Sequence, residues 1–394
     1  MEPSFVYASE MIIDFKKVKT IIDAKSSFLK KVKFMKVMIR LLITLVVLTQ
    51  CCQTTHAQII PLIPELEEVH APSLVETSPG NFLVAFYGGT KVLNPNNKEV
   101  TDCKIWLSYF NQIEESWVTP VIIASSEEIV QESSIPCLDP VLCKSPTGTI
   151  YLFYKIGTST ENWTGYVKSS DDHGVTWSTP RCLAELGAIG PHRCKPLFYN
   201  HDHLGESCLI CPSTKASWNF RAGCAELLDK NLRKCEVSHP IQAPDNSSGT
   251  LQQPVIFHTG GHLQMLFRVR NLPHIYRSTS TNRGSSWSNA KPVDELAGSD
   301  SSLDVIRLSS GQALLAYNDI TGSKRYRLVF MTMNRRFFPG DKWQLAKVIA
   351  ESEDENDAFC YPSVIQSSDD MIRLVYVKNY QEICYEVIHP DELI

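Results

Sequence analysis

No stretch of this 394-residue chain repeats its apolar residues at helical spacing over several turns, so a fold built on helices is excluded. The longest apolar run, from Leu41 to about Cys52, is too short to span a bilayer comfortably. No cofactor fingerprint is present, and with 43% hydrophobic and 21% charged residues the chain lacks the composition of a disordered protein. Basic residues are also scarce where they would matter. Residues 1–57 hold nine of the 38 Lys and Arg but only four of the 43 Asp and Glu, leaving 29 basic and 39 acidic, a net of −10. With no basic stripe left beyond residue 57, nucleic acid and an anionic membrane surface are excluded as partners.

The segment that holds this surplus of lysine has the layout of an export signal. In "KVMIRLLITLVVLTQCCQTTHA", basic residues precede an apolar run that ends in small residues at Ala57. A 34-residue extension with seven lysines stands before it, so Met35 is the expected true start, with a type II membrane anchor as the rival. The expected organisation is an N-terminal extension and signal over 1–57 and one domain over 58–394. No stable membrane span is expected after cleavage, and the location is secreted or the lumen of the secretory or vesicular pathway. Sequons at Asn162 and Asn246 fit that route. Eleven of the thirteen cysteines lie beyond residue 57, and several are expected to pair, with Cys182, Cys194, Cys208, Cys211, Cys224 and Cys235 bunched as a local staple set. In "HDHLGESCLIC", His201, His203, Cys208 and Cys211 superficially resemble a zinc site. The competing thiols and an oxidising route argue for sulfur chemistry there instead, so no metal is assigned.

What the chain has in abundance is short alternating segments rich in β-branched and aromatic residues. "NFLVAFYGG", "TIYLFYKIG", "HLQMLFRVR", "QALLAYND" and "IRLVYVKN" each follow a turn rich in Gly, Asn or Ser. The class is all-β. Trp117, Trp177, Trp287 and Trp343 stand in similar surroundings, separated by 60, 110 and 56 residues, as if one unit had lost its Trp near residue 232. Six units of about 56 residues fill the 337 residues after position 57, the size of a four-stranded propeller blade.

Two of these units share a longer pattern. Ser170-x-Asp172-x-Gly174-x-Thr176-Trp177 recurs as Ser280-x-Asn282-x-Gly284-x-Ser286-Trp287. The Asp or Asn side chain can accept from nearby backbone N–H groups, Gly permits positive φ, and the Trp fills space between strands. This is turn chemistry rather than a catalytic site.

The pattern resembles the Asp-box, or BNR repeat, of the sialidase-like superfamily. "HAPSLVETSPGNFLVAFYGGT", "PCLDPVLCKSPTGTIYLFYKIG", "LQQPVIFHTGGHLQMLFRVR", "SLDVIRLSSGQALLAYND" and "FCYPSVIQ" extend the resemblance over about residues 60–392. It implies a six-bladed β-propeller of four-stranded antiparallel blades with a cleft at the central axis. It also implies three arginines on the substrate carboxylate, a Tyr nucleophile assisted by a Glu, and an Asp acid. Tyr361 matches the nucleophile, although a Tyr there could simply pack between strands. Asp102 matches the acid/base, with a turn cap as the plainer alternative. Arg268 and Arg325 match two of the arginines, and Arg270, on the same strand face as Arg268, is a substitute. The pattern breaks twice: His70 stands where the first arginine belongs, and Gln253 (or Gln252) replaces the Glu. Lys195, Asp304, Arg193, Trp163 and Trp218 are further cleft candidates.

Three functions fit these residues. The first is an exported exo-glycosidase of sialidase type, acting on terminal sialic acid or a related acidic sugar of glycoconjugates. The second is a non-catalytic glycan-binding propeller. The third is a lyase that cleaves a uronic-acid polysaccharide by β-elimination. All three make acidic glycans the partner.

Overall fold

In the computed structural model, the described residues are 57–90, 102–130, 135–201, 206–217, 220–233, 235–243, 249–333 and 342–393. They all fall within one unit, His56–Ile394. The signal segment, Asn246, His203 and Trp218 lie outside them.

The architecture is all-β. A short strand β1 (Gln58–Ile59) precedes β2 (Glu68–Ser78), β3 (Asn81–Gly89), β4 (Lys104–Asn111), β5 (Ser116–Trp117) and β6 (Val121–Ala124), of which β2 to β6 form one sheet. The next comprises β7 (Cys137–Lys144), β8 (Ile150–Ile156), β9 (Thr164–Ser170) and β10 (Arg181–Cys182). An eight-stranded sheet follows. Its first half is β11 (Leu197–His201), β12 (Glu206–Ser217), β13 (Phe220–Asp229) and β14 (Cys235–Val237), and its second half is β15 (Thr250–Thr259), β16 (His262–Arg270), β17 (His274–Ser280) and β18 (Lys291–Ala297). The halves meet in one parallel pairing, Ala222 with Leu251, whereas the other pairings between the described strands are antiparallel. Strands β19 (Asp304–Arg307), β20 (Ala313–Tyr317), β21 (Arg327–Met333) and β22 (Gln344–Glu351) form a further sheet. The last sheet joins β23 (Phe359–Gln366), β24 (Ile372–Lys378) and β25 (Glu382–Ile388) to β1, with Gln58 opposite Tyr385.

Burial falls from the first strands of each sheet to the last, and the sequence shows why. In β3, "NFLVAFYGG", every residue after Asn81 is buried, so both faces are covered. In β17, "HIYRSTS", buried and partly exposed positions interleave, as a half-covered outer strand requires. Fully buried Phe82, Phe86, Phe153, Phe257, Phe267 and Phe330 fill the spaces between sheets, each contributing about 1.5–3 kcal/mol by leaving water.

Both Asp-boxes are turns, as their composition implies. Asp172 Oδ1 accepts the N–H of Thr176 at 2.8 Å, the Ser170 hydroxyl accepts the N–H of Gly174 at 2.8 Å, and Trp177 Nε1 donates to the Gly174 carbonyl at 2.9 Å. The second box repeats these bonds: Asn282 accepts from Ser286 at 2.9 Å, Ser280 from Gly284 at 2.8 Å, and Trp287 donates to Gly284 at 3.0 Å. Each box leans on the preceding group of strands, Gly174 against Leu83 of β3 and Gly284 against Ile210 of β12. In the unit without a Trp, buried Leu232 closes the turn, donating its N–H to the Asp229 carbonyl at 2.8 Å.

The cysteines correct an expectation. All eleven described cysteines are free thiols, and nine are buried. They lie in the cores as small apolar residues. Cys208 and Cys211 are three apart on β12, so they face opposite sides of the sheet and enter different cores. That spacing defeats both a staple and a shared metal. At the sequon, Asn162 is exposed, but its Nδ2 donates to the Thr158 hydroxyl at 2.9 Å.

Candidate active site

Four of the inner strands carry the same irregularity. Ala71, Asp139, Gln253 and Tyr361 have φ of 56°, 47°, 42° and 57°, and each is followed by proline. At each of these points the pairing register slips, between His70 and Ser73, Leu138 and Val141, Gln252 and Pro254, and Cys360 and Ser363. A bulge tolerates proline because the ladder is already broken there. Positive φ in residues other than glycine costs about 1–3 kcal/mol each and gathers at functional sites. Strands β2 and β7 pack side by side, as do β2 and β23, with β19 between β15 and β23, so the four bulges open on one neighbourhood.

Tyr361 stands in its midst. The guanidinium carbons of Arg193 and Arg325 lie 5.0 and 5.3 Å from its ring centre, and the His70 ring meets it edge-on at 5.5 Å. Arg325 also donates Nη1 to Tyr380 Oη at 2.9 Å. His70 is stacked on Tyr87 at 5.2 Å and lies 5.0 Å from the ring of Tyr380. Only 1% of His70 is exposed, and burial holds it below the usual histidine range. Burial thus disfavours the charge that the absent arginine would supply, against the opposing pull of Glu68, whose Oε2 lies 3.6 Å from His70 Nε2.

Gln253 is held from both sides. Its Oε1 accepts from Arg268 Nη1 at 2.6 Å, and its Nε2 lies 3.1 Å from His192 Nε2. The same His192 nitrogen is 3.0 Å from Asp139 Oδ2. One ring nitrogen cannot accept from Gln253 and donate to Asp139 in the same tautomer, so its proton decides which neighbour it holds. Burial pulls His192 down, against the pull of Asp139. Burial pushes Asp139 up, but the hydrogen bond and charge of His192, with Arg193 and Lys155 behind, outweigh it and hold the carboxyl below its ordinary value.

Arg268 and Arg270 share one acid, their Nε atoms donating to Asp300 at 2.8 and 2.9 Å. This places both on one face of β16, as alternation implies. Lys195 is paired with Asp304, which also accepts the N–H of Val364 at 2.8 Å, so these two candidates clamp β19 to β23. Trp163 sets its ring edge against His192 at 5.1 Å. Asp102 behaves as a turn cap, accepting from the N–H of Thr90 at 3.0 Å and from its hydroxyl. Among the described residues no hydrogen bond joins it to Tyr361.

The family model for the BNR repeat-like domain matches residues 80–374. The chain belongs to this family. Among solved structures, this BNR repeat-like chain is similar to the intramolecular trans-sialidase of Ruminococcus gnavus, with 14% identity, a TM-score of 0.62, and coverage of 84% of this chain and 96% of that one. The leech intramolecular trans-sialidase is similar at 13% identity and a TM-score of 0.64, covering 86% and 71%. The Trypanosoma rangeli sialidase follows at 13% identity and 0.61, covering 83% and 55%. At these identities the BNR repeat-like chain shares their fold. No curated protein matches its sequence.

Asp139, His192, Asp300 and Tyr380 belong to the site yet do not stand out in the sequence. For Asp139 a signal existed: "LDP" repeats the placement of "HAP", "QQP" and "CYP" at the head of an inner strand.

Proposed function

We propose that this protein is an exported exo-glycosidase of sialidase type, acting on terminal sialic acid or a related acidic sugar. Residues 58–394 would form a six-bladed propeller of four-stranded blades. The eight-stranded sheet divides at its single parallel pairing, which gives six groups of strands in all. The observation that carries the reading is Tyr361, held at φ 57° with guanidinium groups 5.0 and 5.3 Å from its ring.

The phenol oxygen of Tyr361 attacks the anomeric carbon as the glycosidic bond breaks, its proton passing to solvent water because Gln253 cannot take it, and Asp102 protonates the departing oxygen. Water activated by Asp102 then displaces the tyrosine. Arg268 and Arg325 face the sugar carboxylate, and the cations beside the ring stabilise charge as it develops on the phenol oxygen. Secretion or residence in a vesicular lumen matches a substrate carried on glycoconjugates.

A second reading, a glycan-binding propeller without turnover, is favoured by Gln253. Its amide cannot take a proton, and its carbonyl is already held by Arg268. Release of free acid from a fluorogenic sialoside by the purified protein, beside Tyr361→Phe, separates the two. Turnover in the parent that vanishes in the variant supports hydrolysis. Sialoside binding without turnover in either protein establishes the second reading.

A further inference from the structure

The cations of the site differ in how far their charge is already spent. Arg268 and Arg270 are neutralised in part by Asp300, and Lys195 by Asp304. Among the described residues no carboxylate lies within ion-pair distance of Arg193 or Arg325, and both lie against Tyr361. Arg193 is only 5% exposed, and its Nε and Nη1 have no hydrogen-bond partner. Arg325 gives Nη1 to Tyr380 and Nη2 to the Asp300 carbonyl, leaving Nε without one. Asp139, whose Oδ2 lies 3.0 Å from His192, feels the charge of Arg193 but is not within ion-pair distance of it, so it compensates that guanidinium only in part. A buried guanidinium without an anion is costly, and an arriving anion removes that cost. Arg193 is also held at φ 71°, a strained conformation in a residue far larger than glycine.

We infer that Arg193 and Arg325, rather than Arg268, form the primary anion clamp, so that the substrate carboxylate docks beside the ring of Tyr361. The ligand class is a monosaccharide carboxylate, because the planar fork of arginine grips such a group through two parallel hydrogen bonds. This rests on the acidic-sugar reading and replaces Arg268 with Arg193 in its carboxylate clamp. Arg193 supplies from the segment before β11 the cation that His70 does not. Arg268 becomes a positioning residue that holds Gln253 and Asp300.

The test is calorimetric titration of the full chain with N-acetylneuraminic acid and D-glucuronic acid, with N-acetylmannosamine as the neutral control. The parent, Arg193→Met, Arg193→Lys and Arg268→Met are compared. Arg193→Met is expected to weaken binding of whichever acid the parent takes by about tenfold to a hundredfold, the value of a charge-assisted hydrogen bond. Arg268→Met is expected to weaken it less, with the neutral sugar unchanged. Should Arg193→Met fail to fold, Arg193→Lys keeps the charge, loses the fork, and is expected to bind several-fold more weakly. Acid binding that survives in the Arg193 variants, or that falls further in Arg268→Met, overturns the inference while leaving the acidic-sugar reading intact. A parent that binds neither acid overturns both.

Discussion

Replacing the glycine of each Asp-box with alanine should separate two costs that the boxes otherwise share. Gly174 and Gly284 have nearly the same backbone, φ 93° and 89°, so alanine pays about 1–2 kcal/mol at either for positive φ. Their surroundings differ. A Cβ on Gly174 would lie 2.4 Å from Leu83 Cδ1, whereas one on Gly284 would lie 3.3 Å from Ile210 Cδ1. The first contact forces Leu83, buried between sheets, out of place, which adds about 1–3 kcal/mol of overpacking. Gly174→Ala should therefore cost about 3 kcal/mol and Gly284→Ala about 1–2 kcal/mol. Urea unfolding followed by tryptophan fluorescence reads the difference as a shift in midpoint at constant slope. In the double variant with Leu83→Val, the Gly174→Ala penalty should shrink by about 1 kcal/mol, since the two side chains touch. Equal costs at the two glycines, or no coupling to Leu83, would refute the packing argument.

Stability should be greatest between the ordinary histidine and thiol values. Burial holds His70 and His192 below 6.5, so as the pH falls through that value the unfolded chain binds protons first and stability drops. Burial pushes Cys137, Cys194, Cys224 and Cys235 up to about 12, so above about pH 9 the unfolded chain loses protons that the native state keeps, and stability drops again. Lys155, brought down to about 8 by burial, acts in the opposite sense as one group against four. Urea midpoints across this range check the shape, and a midpoint that rises on acidification contradicts it. Asp300→Asn should cost about 3 kcal/mol because Arg268, 13% exposed, loses its acid. Arg270→Ala, at a side chain 48% exposed, should cost less than about 1 kcal/mol, and the same unfolding assay ranks the two. Alkylation of the native protein without reductant should reach Cys182 and Cys235 first, and unfolding should expose all eleven described thiols. Intact mass that shows oxidised pairs among them would contradict the core packing.

The strands were legible because alternation and turn residues act locally: "NFLVAFYGG" and "HLQMLFRVR" are β3 and β16 residue for residue. Tyr361, Arg268 and Arg325 were singled out by the resemblance; Arg325 lies against the Tyr361 ring, whereas Arg268 is tied to Gln253 and Asp300. The partners were less legible, because contacts between sheets set them. His192 meets Asp139 across 53 positions of chain and Gln253 across 61, and nothing near any of the three announces the others. The cysteines misled for a related reason. Their bunching along the chain suggested a staple set, but strand parity sends neighbours such as Cys208 and Cys211 into separate cores.

The four proline-marked bulges bear on how such a chain can change over time. Ala71, Asp139, Gln253 and Tyr361 share one backbone conformation while differing in size, charge and reactivity. The outward turn of the strand is set by the peptide and the following ring, so the scaffold is indifferent to which side chain it displays. At 253 a carboxamide and a carboxylate, alike in size, could stand on the same bulge without disturbing the sheet beneath. Substitution at these four positions can therefore change what the strands display one residue at a time.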